Sequence, residues 1–139
     1  MRAALALCLL LAPAAAMAAD QDGSDAATAG RSVEMPYLIA PVIVDDKLIA
    51  YAYVSSRIVA VSGSAAIDVR DKLAFIQDAY VRDVNAKPIG KPDDPATVDE
   101  AGLKARLLAD TRRIMGAQKV QDLQILQIQV TQLRPPPNG

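Results

Sequence analysis

The chain has 139 residues and a formal net charge of −1, with no His, no Trp and one cysteine, Cys8. Because there is no basic excess to balance a phosphate backbone, binding to nucleic acid is not expected. The lack of His removes the commonest metal ligand and general base, so a metal site would have to use carboxylates and carbonyls.

The N-terminus is typical of a secretory signal peptide. Arg2 precedes an apolar run over residues 3–12, and Ala16-Met17-Ala18 forms a cleavage site of the small-x-small type. These features predict a signal peptide over residues 1–18, with cleavage before Ala19 and export to the periplasm. An uncleaved membrane anchor is the alternative. The mature chain would contain no cysteine and hence no disulfide.

One folded domain is predicted over residues 33–134. Residues 19–32 are small and polar without an apolar period, which predicts a flexible tether. Residues 135–139, PPPNG, predict a disordered tail.

The domain begins with a predicted β-hairpin. Residues 33–44 are rich in β-branched side chains but contain Pro36 and Pro41, which predicts an edge strand or an interrupted one. The Asp45-Asp46 pair indicates a turn, and residues 47–61 predict a second, antiparallel strand. Both faces of this strand are apolar near its start, which favours cover from two sides. One face would carry Leu48, Ala50, Ala52 and Val54, and the other Ile49, Tyr51 and Tyr53.

A helical period follows over residues 66–85. Its apolar stripe consists of Val69, Leu73, Ile76, Tyr80 and Val84, widened by Phe75 and Ala79. Leu73 and Ile76 are therefore predicted core residues, and Asp78 is spaced to pair with Arg82. Residues 86–96, AKPIGKPDDPA, predict a connector without a helix because they contain three prolines and a glycine.

A second helix is predicted from a capping box, Thr97 with Glu100, to Met115. Glu100 is spaced to pair with Lys104, and Gly116 predicts the end of the helix. Its apolar stripe comprises Leu103, Leu107 and Ile114, widened by Leu108, Met115, Ala101 and Ala105.

The last element is a predicted strand over residues 119–133, KVQDLQILQIQVTQL. Its alternation shifts phase by one residue near Ile125 and Leu126, which predicts a β-bulge. We expect it to pair with the strands at the start of the domain. The predicted fold is therefore α+β, a small antiparallel or mixed sheet with two amphipathic helices on one side. Residues 33–44 are the predicted exposed edge for weak self-association.

Two polar clusters have residue types that could form a chemical site. Asp93-Asp94, Asp99 and Glu100 could bind a divalent cation, but they match no calcium-loop spacing and fit helix capping better. Ser62-Gly63-Ser64 could hold a nucleophile with Lys72 as its base, but a turn glycine and a helix-capping serine explain the same residues.

Two further groups have alternative interpretations. Arg112-Arg113 could bind an anion, whereas their place in the last turn of a helix favours interaction with the helix dipole. The four tyrosines are either lining of a ligand cavity or core. They are Tyr37, Tyr51, Tyr53 and Tyr80.

The order of elements resembles the periplasmic domain of the flagellar basal-body-associated FliL-like family. The resemblance covers about residues 33–133 and rests on MPYLIAPVIVDDKLIAYAYV for the entry strands, VRDKLAFIQDAYVRDVN for the first helix, and GLKARLLADTRRIMGAQKVQDLQILQIQVTQL for the second helix and last strand. It implies a domain without catalytic residues that self-assembles beside the flagellar stator. Members of the family normally keep a transmembrane helix, whereas this chain is predicted to lose its N-terminus.

The function predicted from these features is a non-enzymatic periplasmic interaction module. Its expected partners are copies of itself and stator or basal-body proteins. Contact with the inner-membrane periphery is a further option, and binding to nucleic acid is not expected. No cofactor or metal is expected. The alternative is a domain that binds a small ligand or lipid in a cavity between helices and sheet. An enzyme is the least favoured class because the chain has no His.

Overall fold

The computed structural model describes residues 28–134. The predicted signal peptide, the tether up to residue 27 and the tail over residues 135–139 lie outside the described residues. The elements in chain order are β1 (Ser32–Glu34), β2 (Leu38–Val44), β3 (Lys47–Ala60), α1 (Gly63–Asp71), α2 (Leu73–Ala86), α3 (Glu100–Met115) and β4 (Val120–Gln132). The fold is α+β with an antiparallel sheet, which confirms the predicted class.

β3 is the central strand of the sheet. β4 pairs along one side of it, while β1 and β2 follow one another along the other side. All pairings are antiparallel. The last strand, β4, pairs with β3 near the start of the domain, as predicted. Residues 28–31, at the end of the predicted tether, form a turn that is tied to β3, because the Ala60 N–H donates to Arg31 O at 2.8 Å.

The first hairpin follows from the prolines and the acidic turn. Pro36 lies in the break between β1 and β2, which confirms the interrupted strand. Asp45 and Asp46 have φ values of 50° and 61°, and Val44 pairs with Lys47. Two consecutive left-handed residues make the tight hairpin turn whose twist matches that of the strands, and Asp tolerates this conformation better than most residues.

The described strands contain three register shifts, and two of them explain which side chains face the core. Between Ser55 and Ser56 the register skips Leu126, which confirms the predicted bulge. A second bulge leaves Ile49 without a direct partner in β2, so Leu48 does not share the buried face of Ala50 and is 39% exposed. The prediction that β3 is covered on both sides near its start is wrong, because Tyr53 is 37% exposed.

The segment predicted as the first helix forms two helices, which are separated at Lys72. The φ of −102° and ψ of 8° at Lys72 are not helical, and the Lys72 N–H is shared between the carbonyls of Asp68 and Val69. After this break α2 buries Ile76, Tyr80 and Val84, with Leu73 half-buried against the core. Phe75 was predicted to widen the apolar stripe and is instead 65% exposed, with the Lys72 ammonium 5.2 Å from the centre of its ring.

The connector between α2 and α3 is held by its own backbone. Gly90 pairs with Val98 in an isolated bridge, and Ile89 is buried in the core. Gly90 lies so close to the chain that an added Cβ would be 2.1 Å from Pro95 O. The predicted capping box is wrong, because the N-cap is Asp99, two residues after Thr97, with Asp99 Oδ1 accepting from the Gly102 N–H at 3.0 Å.

Helix α3 packs beside α2 over the first half of β4. It buries Leu103, Leu107 and Thr111 and ends at Gly116, whose φ is +89°. The predicted partner of Lys104 is replaced by Asp122, with Nζ and Oδ2 3.4 Å apart. Helices and sheet share one core, so all three helices lie on the same face of the sheet.

Candidate functional site

The face of the sheet opposite the helices has no helix over it among residues 28–134. We call it the open face and define it by Ile39, Ile43, Leu48, Tyr51 and Tyr53 on β2 and β3 and by Gln127, Gln129 and Thr131 on β4. The alternation of the strands produces it, since neighbours such as Ala40, Ala52 and Val54 point into the core. Apolar and amide side chains thus reach solvent together on one surface.

The structure brings together two of the four tyrosines that were predicted to line a ligand cavity or to belong to the core. Tyr37 and Tyr53 line a groove of about 210 Å³ on the open face, with Gln127 and Gln129. Tyr37 is 70% exposed, and the residue is held in place by the Gln77 side chain, whose Nε2 donates to the Tyr37 carbonyl at 3.4 Å. Tyr51 lies on the same face, opposite Thr131.

Tyr80 is separate from this group because it lies in the core between α2 and α3. Its hydroxyl is 2.5 Å from Thr111 Oγ1, which in turn donates to Leu107 O at 2.8 Å. Since Thr111 has one hydroxyl proton and uses it on that carbonyl, Tyr80 must be the donor to Thr111. Burial raises the pKa of the Tyr80 hydroxyl well above its ordinary value. This residue has a structural role.

The outer edge of β4 presents backbone groups to solvent. The Leu133 N–H donates to Ile49 O at 3.0 Å, so by the alternation of antiparallel ladders Ile128 and Val130 turn their N–H and C=O groups away from β3. We call residues 127–132, QIQVTQ, the β4 edge. It contains neither proline nor charge, and Val130 is 40% exposed. Such an edge can pair with another strand.

Other parts of the sheet boundary are protected. The Arg112 Nη2 donates to Gln121 O at 3.1 Å, so α3 covers the beginning of β4. On the opposite boundary, the same alternation turns the backbone nitrogen of Pro41 outward, where its missing N–H removes one donor from the exposed row. Residues 33–44 were predicted to be the exposed edge, but the β4 edge is the less protected of the two.

The acidic residues whose side chains could bind a divalent cation have other roles in the structure. Asp99 caps α3, Asp94 Oδ2 accepts from Thr97 Oγ1 at 2.5 Å, and Asp45 and Asp46 form the hairpin turn. Within residues 28–134 no group of three or more His, Cys, Asp or Glu side chains is placed to hold a metal ion.

The predicted nucleophile and anion sites are also explained by structure. Ser62 Oγ accepts from the Ala65 N–H at 3.1 Å, which makes it the N-cap of α1, while Lys72 extends over Phe75. Of the two arginines, Arg112 binds the β4 backbone, and Arg113 pairs with Asp110 at 2.9 Å. The structure therefore gives each of these residues a local partner.

A strong ion pair between α2 and α3 could not be found from local spacing. Arg106 Nη2 lies 2.7 Å from Asp83 Oδ2, and Arg106 Nη1 donates to Pro88 O at 2.8 Å. The two charged residues are far apart in sequence, so an i,i+4 pattern gives no signal for them. By contrast, the predicted Asp78–Arg82 pair is present at 2.8 Å on the helix surface.

Comparison of the chain with known proteins identifies no relative. No protein-family model matches the chain, and no curated protein is significantly similar to it. The resemblance to the FliL-like family therefore stays a prediction from the sequence. Within residues 28–134 there is no helix of the length and apolarity needed to cross a membrane.

Proposed function

We propose that this protein is a non-enzymatic structural module of the periplasm that acts by self-association and by contact with other proteins. The observation that supports it best is the uncovered β surface formed by the open face and the β4 edge. Ile39 is 51% exposed there, beside the exposed tyrosines of the groove. Contiguous apolar surface of this kind on a soluble domain is characteristic of protein interaction sites.

The polar residues of the described chain support a structural role over a catalytic one. A nucleophile needs a base within hydrogen-bond reach, and Ser62 is engaged with the backbone of its own helix. Tyr80, whose hydroxyl pKa is raised by burial, lies in the core away from the groove described above. We therefore assign these groups to the maintenance of the fold.

The flagellar part of the proposal derives from the resemblance to the FliL-like family. In that setting the module would assemble beside stator or basal-body proteins, at the periphery of the inner membrane. Deletion of the gene tests this part directly. Impaired swimming with normal growth and normal flagellin export supports it, whereas unchanged motility of the deletion strain overturns it.

Self-association is tested by sedimentation velocity of the purified protein over a hundredfold range of concentration. We expect the weight-average sedimentation coefficient to rise with concentration. A value that stays constant at that of a monomer over the whole range would contradict the proposal.

A second candidate function is the binding of a small ligand in the groove between Tyr37 and Tyr53. The groove combines two aromatic rings with the amides of Gln127 and Gln129, which can fix a polar ligand. Its volume of about 210 Å³ is below the roughly 300–1,000 Å³ typical of ligand pockets, so we rank it second. A ligand that co-purifies with the protein and is lost from Tyr53→Ser would favour this function.

A further inference from the structure

We propose that two copies of this chain pair through their β4 edges, antiparallel and about a two-fold axis at Gln129. The inference rests on the proposed function, since it names the surface and the register by which self-association occurs. It joins two four-stranded sheets into one continuous sheet.

The partner is a β-strand because of the groups that the β4 edge presents. Ile128 and Val130 each direct one N–H and one C=O outward, at the repeat of an antiparallel ladder. A second strand satisfies all of these groups, whereas an isolated side chain or a small molecule satisfies only some. The bulge at Leu126 and the arginine that covers Gln121 limit the pairing to the second half of β4.

A second copy of the chain fits the charge of this edge. The only charged residue in β4 is Asp122, which lies outside the pairing segment and is paired with Lys104. Two identical edges therefore meet without like charges opposite one another. A charged partner strand would gain no electrostatic attraction from this uncharged edge. Natural edges are usually protected against this contact by Lys, Pro or an inward charge, and none of these occurs over residues 127–132.

The side chains select one register. With the axis at Gln129, Ile128 of one copy faces Val130 of the other on the helix side of the sheet. Gln127 faces Thr131 and Gln129 faces itself on the open face, so apolar groups meet apolar groups and polar groups meet polar ones. A shift of one residue would place side chains of opposite faces against each other, and moving the axis to Val130 would place Ile128 against Gln132.

The length of the segment determines the strength of the pairing. Six residues from each copy are far fewer than the roughly 20–30 residues on each side of a stable interface. The dimer should therefore form only toward the upper end of a hundredfold concentration range. The open faces of the two copies become one surface in this dimer, which brings the two tyrosine grooves to the same side.

The first experiment compares two lysine substitutions by sedimentation velocity. Val130→Lys places a charge in the pairing segment and should weaken dimerisation at least roughly tenfold. Val81→Lys is the matched control, since Val81 lies on α2, outside the sheet, with a similar exposure of 42%, against 40% for Val130. Val81→Lys should leave dimerisation unchanged, and thermal unfolding should show that both variants are folded.

The second experiment tests the register by disulfide formation in a Cys8→Ser background, which removes the only native cysteine. Gln129→Cys places two thiols opposite each other in a non-hydrogen-bonded pair, where Cβ atoms are about 4.5 Å apart and a disulfide can form. Gln127→Cys is the control, because two copies of residue 127 lie four residues apart in this register. We expect a covalent dimer from Gln129→Cys alone.

The outcomes separate this inference from the proposed function. Dimerisation that Val130→Lys abolishes, together with cross-linking at residue 129, supports both. Self-association that survives Val130→Lys, without cross-linking at residue 129, overturns the β4 pairing and leaves the structural module standing. Equal loss of self-association in Val81→Lys and Val130→Lys would show that the effect of the added charge does not depend on its position, and would overturn the β4 pairing. A monomer at every concentration overturns both proposals.

Discussion

The two faces of the sheet use similar side chains for opposite purposes. On the helix side, Ala52 and Val54 are sealed under a core that Ile76, Leu103 and Leu107 complete. On the open face, Tyr53 lies between these two residues on β3 and Ile39 lies opposite it on β2, and both remain in contact with water. The difference lies in what covers each face, and not in the hydrophobicity of the strands.

This comparison shows why an alternating strand does not by itself indicate which face is buried. β3 has apolar residues on both faces near its start, a pattern typical of a strand enclosed between two layers. The described chain supplies helices for only one layer. The second apolar face is therefore available for contact with another molecule, and substitutions on the two faces should have different effects.

The largest effect is expected on the helix side, from Ile76→Asp. Ile76 is completely buried in the core, so the substitution places an unpaired carboxylate there. We expect a loss of several kcal/mol, roughly 3–5, which is enough to unfold a domain whose total stability is about 5–15 kcal/mol. Chemical denaturation followed by circular dichroism measures the difference.

Phe75→Asp is the matched control for Ile76→Asp on the same helix. Because Phe75 is 65% exposed, with the Lys72 ammonium 5.2 Å from the centre of its ring, its replacement should cost less than about 1 kcal/mol. Equal losses in the two variants would show that the assignment of the two sides of α2 is wrong.

The second prediction tests whether the connector is part of the helix-side layer. Gly90→Ala would place a Cβ 2.1 Å from Pro95 O, so the backbone must move next to buried Ile89. We expect a loss of about 1–3 kcal/mol in the free energy of unfolding. Gly30→Ala is the control, since an added Cβ at Gly30 would have no neighbour within 4 Å. A variant at Gly90 as stable as the control would indicate that the connector is loosely attached.

Much of this arrangement could be predicted from local sequence signals. The bulge at Leu126, the Asp45-Asp46 turn, the break at Pro36 and the end of α3 at Gly116 each depend on residues that are close in sequence. The conformational preferences of glycine, proline and aspartate and the two-residue period act over a few positions. These features are visible without knowledge of the fold.

The features that the sequence did not predict depend on distant contacts. Lys72 interrupts the helical period without a glycine or proline to mark it. Thr111 belongs to the core because Tyr80 reaches it from another helix, and Arg106 finds Asp83 across the same interface. The groove lined by Tyr37 and Tyr53 requires the loop between β1 and β2 to lie beside the open face. No spacing rule predicts these contacts, because each is set by packing.

The third prediction concerns the buried hydroxyl on the helix side. Tyr80→Phe removes the donor to Thr111 and should cost about 1 kcal/mol at neutral pH, since Thr111 keeps its own bond to Leu107 O. In wild type, the raised pKa of the Tyr80 hydroxyl favours the neutral form in the folded state. Its contribution is fully present below the ordinary tyrosine pKa of about 10 and is lost as the pH rises above it.

Unfolding of wild type and Tyr80→Phe between pH 8 and pH 11 measures this linkage. The stability of wild type should fall more steeply above about pH 10, so that the two curves converge or cross. Other groups titrate in both proteins and cancel in the difference. A difference between the proteins that stays constant over this range would contradict the burial of the hydroxyl.

The smallest effect on stability is expected on the open face, from Tyr53→Thr. The ring of Tyr53 already contacts solvent, and Thr keeps the preference for a strand, so the free energy of unfolding should change by less than about 1 kcal/mol. Ala52→Thr is the matched comparison, because Ala52 is the next residue of β3, faces the core and is completely buried. The added hydroxyl and methyl group have no space there, so a loss of about 1–3 kcal/mol is expected. If the two variants were equally stable, the contrast between the two faces would be refuted at the centre of the sheet. A large loss in the free energy of unfolding from Tyr53→Thr alone would mean that the open face is covered.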